Sequence, residues 1–64
     1  MHTNTIKAKV KKQFQGVEIQ EVKKHKWGLF TVKVTKQMPR SIKIGMISGE
    51  WNEGQCTMEK IEWL

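Results

Sequence analysis

The chain has 64 residues, twelve Lys and Arg against six Glu, and a formal net charge of +6. This length makes one domain, residues 1–64, and such a domain buries only about 60% of its unfolded surface. Cys56 is the single cysteine, which excludes an intrachain disulfide; with His2 and His25 it lacks zinc-finger spacing, so no metal and no cofactor is expected.

No apolar run approaches the roughly 20 residues of a membrane-spanning helix, and the N-terminal Met1-His2-Thr3-Asn4-Thr5 lacks the apolar stretch of a secretory signal. The expectation is a cytoplasmic protein without a membrane partner. A 38% hydrophobic content with three Trp argues for a folded chain.

The first segment is ambiguous. Ile6, Ala8 and Val10 alternate with Lys7, Lys9 and Lys11, as in a strand with a row of ammonium groups on one side. Ile6, Val10, Phe14 and Val17 also form a helical stripe, with Asn4 or Thr5 to cap its start and Gly16 to end it. The strand over 5–14 is preferred because the downstream pattern is a meander.

Over 17–24, Val17 and Ile19 share one face and Val22 takes the other, which predicts a β-bulge near Gln20-Glu21. Lys24-His25-Lys26-Trp27-Gly28 reads as a turn. The clearest strand is 29–36, with Phe30, Val32 and Val34 on one face. A turn at Gln37-Met38-Pro39-Arg40 follows. Next comes a strand over 41–50 with Ile42, Ile44 and Met46 inward. Trp51-Asn52-Glu53-Gly54-Gln55 predicts a type I turn closed by a glycine bulge. The final strand spans 56–63, with a short terminal helix as the alternative because Met58, Ile61 and Leu64 fit one helical face.

These elements predict a mainly β fold: a small five-stranded antiparallel meander curled into an SH3-like or OB-like barrel. The alternative is an α+β arrangement with an N-terminal helix at about 5–15 packed on the meander. The expected inward set is Ile6, Ala8, Val10, Val17, Ile19, Phe30, Val32, Val34, Ile42, Ile44, Met46 and Ile61.

Charge is divided along the chain. Residues 1–40 carry ten Lys and Arg against two Glu, and residues 41–64 carry two Lys against four Glu. Lys7, Lys9, Lys11, Lys12, Lys23, Lys24, Lys26, Lys33, Lys36 and Arg40 therefore form a candidate phosphate-binding set, with Trp27 in their midst to stack on a base. The bland alternative for any one lysine is a solvated position that keeps an edge strand from aggregating. Lysine meets phosphate as a point charge, which suits backbone contact better than base readout.

Catalysis finds little. The chain has no Asp and no Tyr, and Gly45, Gly49 and Gly54 lack the spacing of a phosphate-binding loop. Cys56 reads as a small buried residue and His25 as a solvated turn residue. The expected function is a non-enzymatic basic module that binds nucleic acid, DNA or RNA, mainly through phosphates. The alternative is a cytosolic protein-interaction module, an inhibitor or modulator such as a phage or other mobile element carries. It would use Trp51, Glu53, Trp63 and Leu64, or set its basic face against an acidic protein. A homodimer is compatible with either.

Overall fold

The computed structural model describes residues 3–64, so the expectation for His2 lies outside the described residues. A helix, α1 (Thr3–Gln13), precedes β1 (Glu18–Lys24), β2 (Leu29–Gln37), β3 (Ile42–Asn52), β4 (Gln55–Met58) and β5 (Glu62–Trp63). The fold is mainly β, with α1 laid on an antiparallel sheet.

The strand expected at 5–14 is thus corrected to a helix. As a strand, residues 6–14 would place Lys12 on the apolar face between Val10 and Phe14. A helix turns Lys12 outward and brings Ile6, Val10 and Phe14, four residues apart, onto one side. Ile6 and Val10 are fully buried there, whereas Ala8 is exposed and leaves the expected inward set. Ala, Lys and Gln are good helix formers, and Lys11 and Lys12 sit favourably in the last turn, at the negative end of the dipole. Beyond the helix, Gly16 at φ 84° turns the chain back toward β1.

The strands form a meander in the order β1-β2-β3-β4, with β5 on the same edge of β3 as β4. No ladder joins β1 to β4 or β5 among the described residues, which leaves the SH3-like or OB-like closure without support. Residues 56–63 are not one strand and not a helix: β4 pairs Gly49–Asn52 of β3, the chain steps out over 59–61, and β5 pairs Gly45 and Met46. That step explains why Met58 and Ile61 fall out of a single alternation.

The bulge foreseen at Gln20-Glu21 is present, as a register shift between Ile19 and Glu21. It lets Ile19, opposite Val34, and Val22, opposite Val32, both face the core despite their odd spacing. The extra residue, Gln20, donates from Nε2 to Thr35 Oγ1 at 3.1 Å.

The core comprises Ile6, Val10, Phe30, Val32, Val34 and Ile47, ringed by Phe14, Val17, Ile19, Val22, Cys56, Met58 and Ile61. Among the described residues no polar or charged side chain is buried. Burial of this kind contributes about 1.5–3 kcal/mol per large apolar side chain.

The facing of β3 is a second correction. Ile42, Ile44 and Met46 do not point inward; Ile42 is 59% and Ile44 38% exposed. The core face of β3 is Gly45, Ile47 and Gly49, opposite Val34, Val32 and Phe30. The glycines carry the reason. A Cβ on Gly45 would collide with Ile61 and Trp63, and one on Gly49 with the Phe30 ring. The inner face of β3 is bare so that side chains from other strands can close over it.

The β3–β4 connection is a third correction. Asn52 pairs Gln55, and Glu53 and Gly54 between them have φ of 51° and 80°. Positive φ at both central residues is a two-residue I′ turn rather than a type I turn with a bulge. The β2–β3 turn falls where expected, closed by Met38 N–H donating to Ser41 O at 2.8 Å.

Candidate nucleic-acid interface

Residues paired directly across an antiparallel ladder point to the same face, so the register assigns each charged residue to a side of the sheet. One side is covered by α1. Lys24, opposite Phe30, lies on that side, as do Lys36 and its partner Lys43. The exposed helix residues Lys7, Lys9, Lys11 and Lys12 add to it. The other side is open, and its strand charges are Lys23 and Lys33 with Glu18, Glu21, Glu50 and Glu62. The tertiary structure therefore sorts charge by face: lysine around the helix, glutamate on the open sheet.

This sorting differs from the row expected from a strand. Lys7 and Lys11 share one flank of α1, beside Val17, Glu18 and Ile19. Lys9 lies on the flank toward β4, close enough to act on the Cys56 thiol. Lys7, Lys9 and Lys11 do not form one face, because a helix rotates alternate residues by about 200°. Lys23 and Lys33 are removed from the basic side altogether, and Lys23 Nζ lies 3.5 Å from Glu21 Oε1. Arg40 sits in the β2–β3 turn, at the far end of the sheet from Lys26 and Trp27.

Trp27 is the most distinctive side chain. It occupies a 3-10 turn over Lys26–Gly28, is 88% exposed, and has φ 60° and ψ 35°. A left-handed backbone costs a residue with a Cβ about 1–2 kcal/mol. The turn is held by backbone bonds: His25 N–H donates to Leu29 O at 2.7 Å, and Leu29 N–H donates to Lys26 O. Gly28, at φ 75°, presses against Trp51, whose carbonyl oxygen would overlap any Cβ there. His25 Nε2 is hydrogen bonded to Thr31 Oγ1 at 3.0 Å, which anchors the base of the turn. A rigid turn thus projects an indole into solvent at a backbone cost, a combination common where a side chain serves a ligand.

The alternative set does not form one patch. Trp51 is half-buried opposite Cys56, and Glu53 tips the adjoining turn. Trp63 pairs Gly45, six residues and about 20 Å further along β3. Lys43 Nζ stands 5.9 Å from the Trp63 ring centroid, and Leu64 N–H donates to Ile44 O at 2.8 Å.

Cys56 is partly buried, and burial raises its thiol pKa while Lys9 opposes the shift. Among the described residues no His/Cys/Asp/Glu group could hold a metal ion, and no helix is long and apolar enough to cross a membrane. Two features escaped the sequence: the partition of charge between faces, and the outward stripe Ile42-Ile44-Met46. The glycines at 45 and 49 were the available signal for the second. No family model, curated protein or solved structure matches the chain.

Proposed function

We propose that this chain is a non-catalytic nucleic-acid-binding module that contacts phosphates through its helix side and stacks a base on Trp27. The single observation that supports this is the partition of charge. Lys7, Lys9, Lys11, Lys12, Lys24, Lys36 and Lys43 lie on the helix or on the sheet side it covers, while Glu21, Glu50 and Glu62 lie on the opposite face and Glu18 sits at the β1 edge beside Lys7 and Lys11. A polyanion approaching the helix side meets cations and avoids most of the carboxylates. Trp27, at the end of β1 and flanked by Lys24 and Lys26, supplies a π surface that any base can use. Sequence preference is weak, because lysine carries little base code. Such a protein acts where nucleic acid lies, in the cytoplasm of its cell.

The test is binding to mixed single-stranded and duplex oligonucleotides across a salt series. Affinity should fall with a log–log slope of about −0.7 per phosphate contact on single strands and about −0.9 on duplex. Changing Lys7, Lys9, Lys11 and Lys12 together to Gln should flatten that slope. Changing Lys23 and Lys33 to Gln should leave it as it was. Absence of binding at low salt, or equal effects of the two sets, overturns the proposal and favours a protein partner for the basic side.

A further inference from the structure

We infer that the open face of the sheet is a self-association surface, and that its occupant is a second copy of this chain stacked face to face. The face carries an apolar stripe along the inner strand β3, Ile42, Ile44 and Met46, while Leu29 on β2 stands apart from it, opposite Glu50. A stripe on a central strand, rimmed by Thr31, Thr35 and charged residues, has the anatomy of an interface core with a polar rim.

Charge identifies the partner. Across the middle of the face the register places Glu21, Lys33, Met46 and Glu62 in one row, on β1, β2, β3 and β5. The row is negative, positive, apolar, negative. A two-fold axis running along β3 in the interface plane sets Met46 on Met46 of the second copy. It also carries β2 over the copy's β5, so that Lys33 of each chain stands against Glu62 of the other. Ile44 then meets its own counterpart beside the Met46 pair. Ile42 and Glu50, each four residues from Met46, lie at the two ends of the face, where the twist of stacked sheets, about 30°, splays the strands apart.

Size sets the strength of this arrangement, and the edges favour it. Centred on β3, the axis overlays β2, β3 and the β4/β5 position and leaves β1 uncovered; nine β2–β3 pairs at about 3.3 Å each, across three strand positions at about 4.8 Å, make a face of roughly 430 Å² per chain. Two such faces bury about 900 Å², below the range of a stable complex, so the dimer is weak and transient. Edge-to-edge pairing is the competing route, and both edges are blunted. β1 carries the Gln20 bulge, and the opposite edge is broken between β4 and β5. Because the axis runs along the strands, both Trp27 turns come to the same end of the dimer, and one polyanion can engage both.

The test is sedimentation equilibrium of the full chain from 1 to 500 µM without nucleic acid, which separates it from the function proposed above. A reversible monomer–dimer equilibrium is expected. Ile44→Lys should weaken it at least tenfold with an unchanged circular dichroism spectrum, since Ile44 lies outside the core. Lys33→Glu should weaken it at least tenfold, and Lys33→Glu with Glu62→Lys should restore it. A monomer at every concentration, a dimer indifferent to Ile44→Lys, or a failure of the double variant to recover overturns the inference. Association only when nucleic acid is added also overturns it.

Discussion

Val32 stands directly opposite Ile47 across the β2–β3 ladder, and both side chains are fully buried beneath α1. Ile44, three residues before Ile47, faces the other way, opposite Thr35. This one relationship fixes which side of β3 is core, and it makes the inside and the outside separable by mutation.

Ile47→Ala should therefore cost about 2–5 kcal/mol and Val32→Ala about 1–4 kcal/mol, through lost transfer energy and an unfilled cavity. Ile44→Ala should stay within about 0.5 kcal/mol in dilute solution. Denaturant melts of the three variants check this. Equal losses at Ile44 and Ile47 would reverse the facing of β3.

Trp27 sets stability against binding. Trp27→Gly removes an exposed side chain and relieves a left-handed backbone, while a more flexible unfolded chain offsets part of the gain. The expected outcome is unchanged stability or an increase of up to about 1 kcal/mol. Affinity for single strands should fall by about 1–3 kcal/mol, with the salt slope nearly constant. A thermal melt and an oligonucleotide titration of the same variant separate the two effects.

The turns give a contrasting pair. Gly28→Ala adds a Cβ onto the Trp51 carbonyl and strains φ at 75°, so it should lower the melting temperature sharply. Glu53→Asn, in the open I′ turn at φ 51°, should raise stability by a few tenths of a kcal/mol, because Asn-Gly is the preferred pair there.

Cys56 gives a pH prediction. Desolvation raises its pKa, and Lys9 lowers it in part. The folded chain therefore holds the thiol proton more firmly than the unfolded chain. The stability this contributes is fully present below the ordinary thiol pKa and is lost as pH rises through the raised value. Alkylation of the folded protein should be slow near neutrality and quicken only in alkaline buffer. Lys9→Gln should shift that profile further upward.

Much of the fold was legible in local pattern. The Phe30-Val32-Val34 alternation, the Gln20 bulge, the Pro39 turn and the Glu53-Gly54 turn position each follow from short-range rules: side-chain period, missing donors, glycine's freedom. The type of the Glu53-Gly54 turn was not legible, because Gly54 suits either geometry and only the pairing of Asn52 with Gln55 selects the I′ form. The basic bias of residues 1–40 was also plain from the sequence.

Tertiary structure decided the rest, through long-range contacts that local pattern does not contain. Residues 6–14 satisfy both a strand and a helix period; a sheet that needs Ile6 and Val10 as a lid selects the helix. The choice dissolves the expected lysine row and moves Lys7, Lys9, Lys11 and Lys12 onto the flanks and back of α1. Ile42, Ile44 and Met46 outnumber Ile47, so alternation alone points them inward. Gly45 and Gly49 reverse that, because Ile61, Trp63 and Phe30 need the space a Cβ would fill. By itself the sequence determined the three strands within 17–24, 29–36 and 41–50 and the excess of lysine; only packing determined that 5–14 is a helix and which face each residue presents, and so where a polyanion or a second chain can sit.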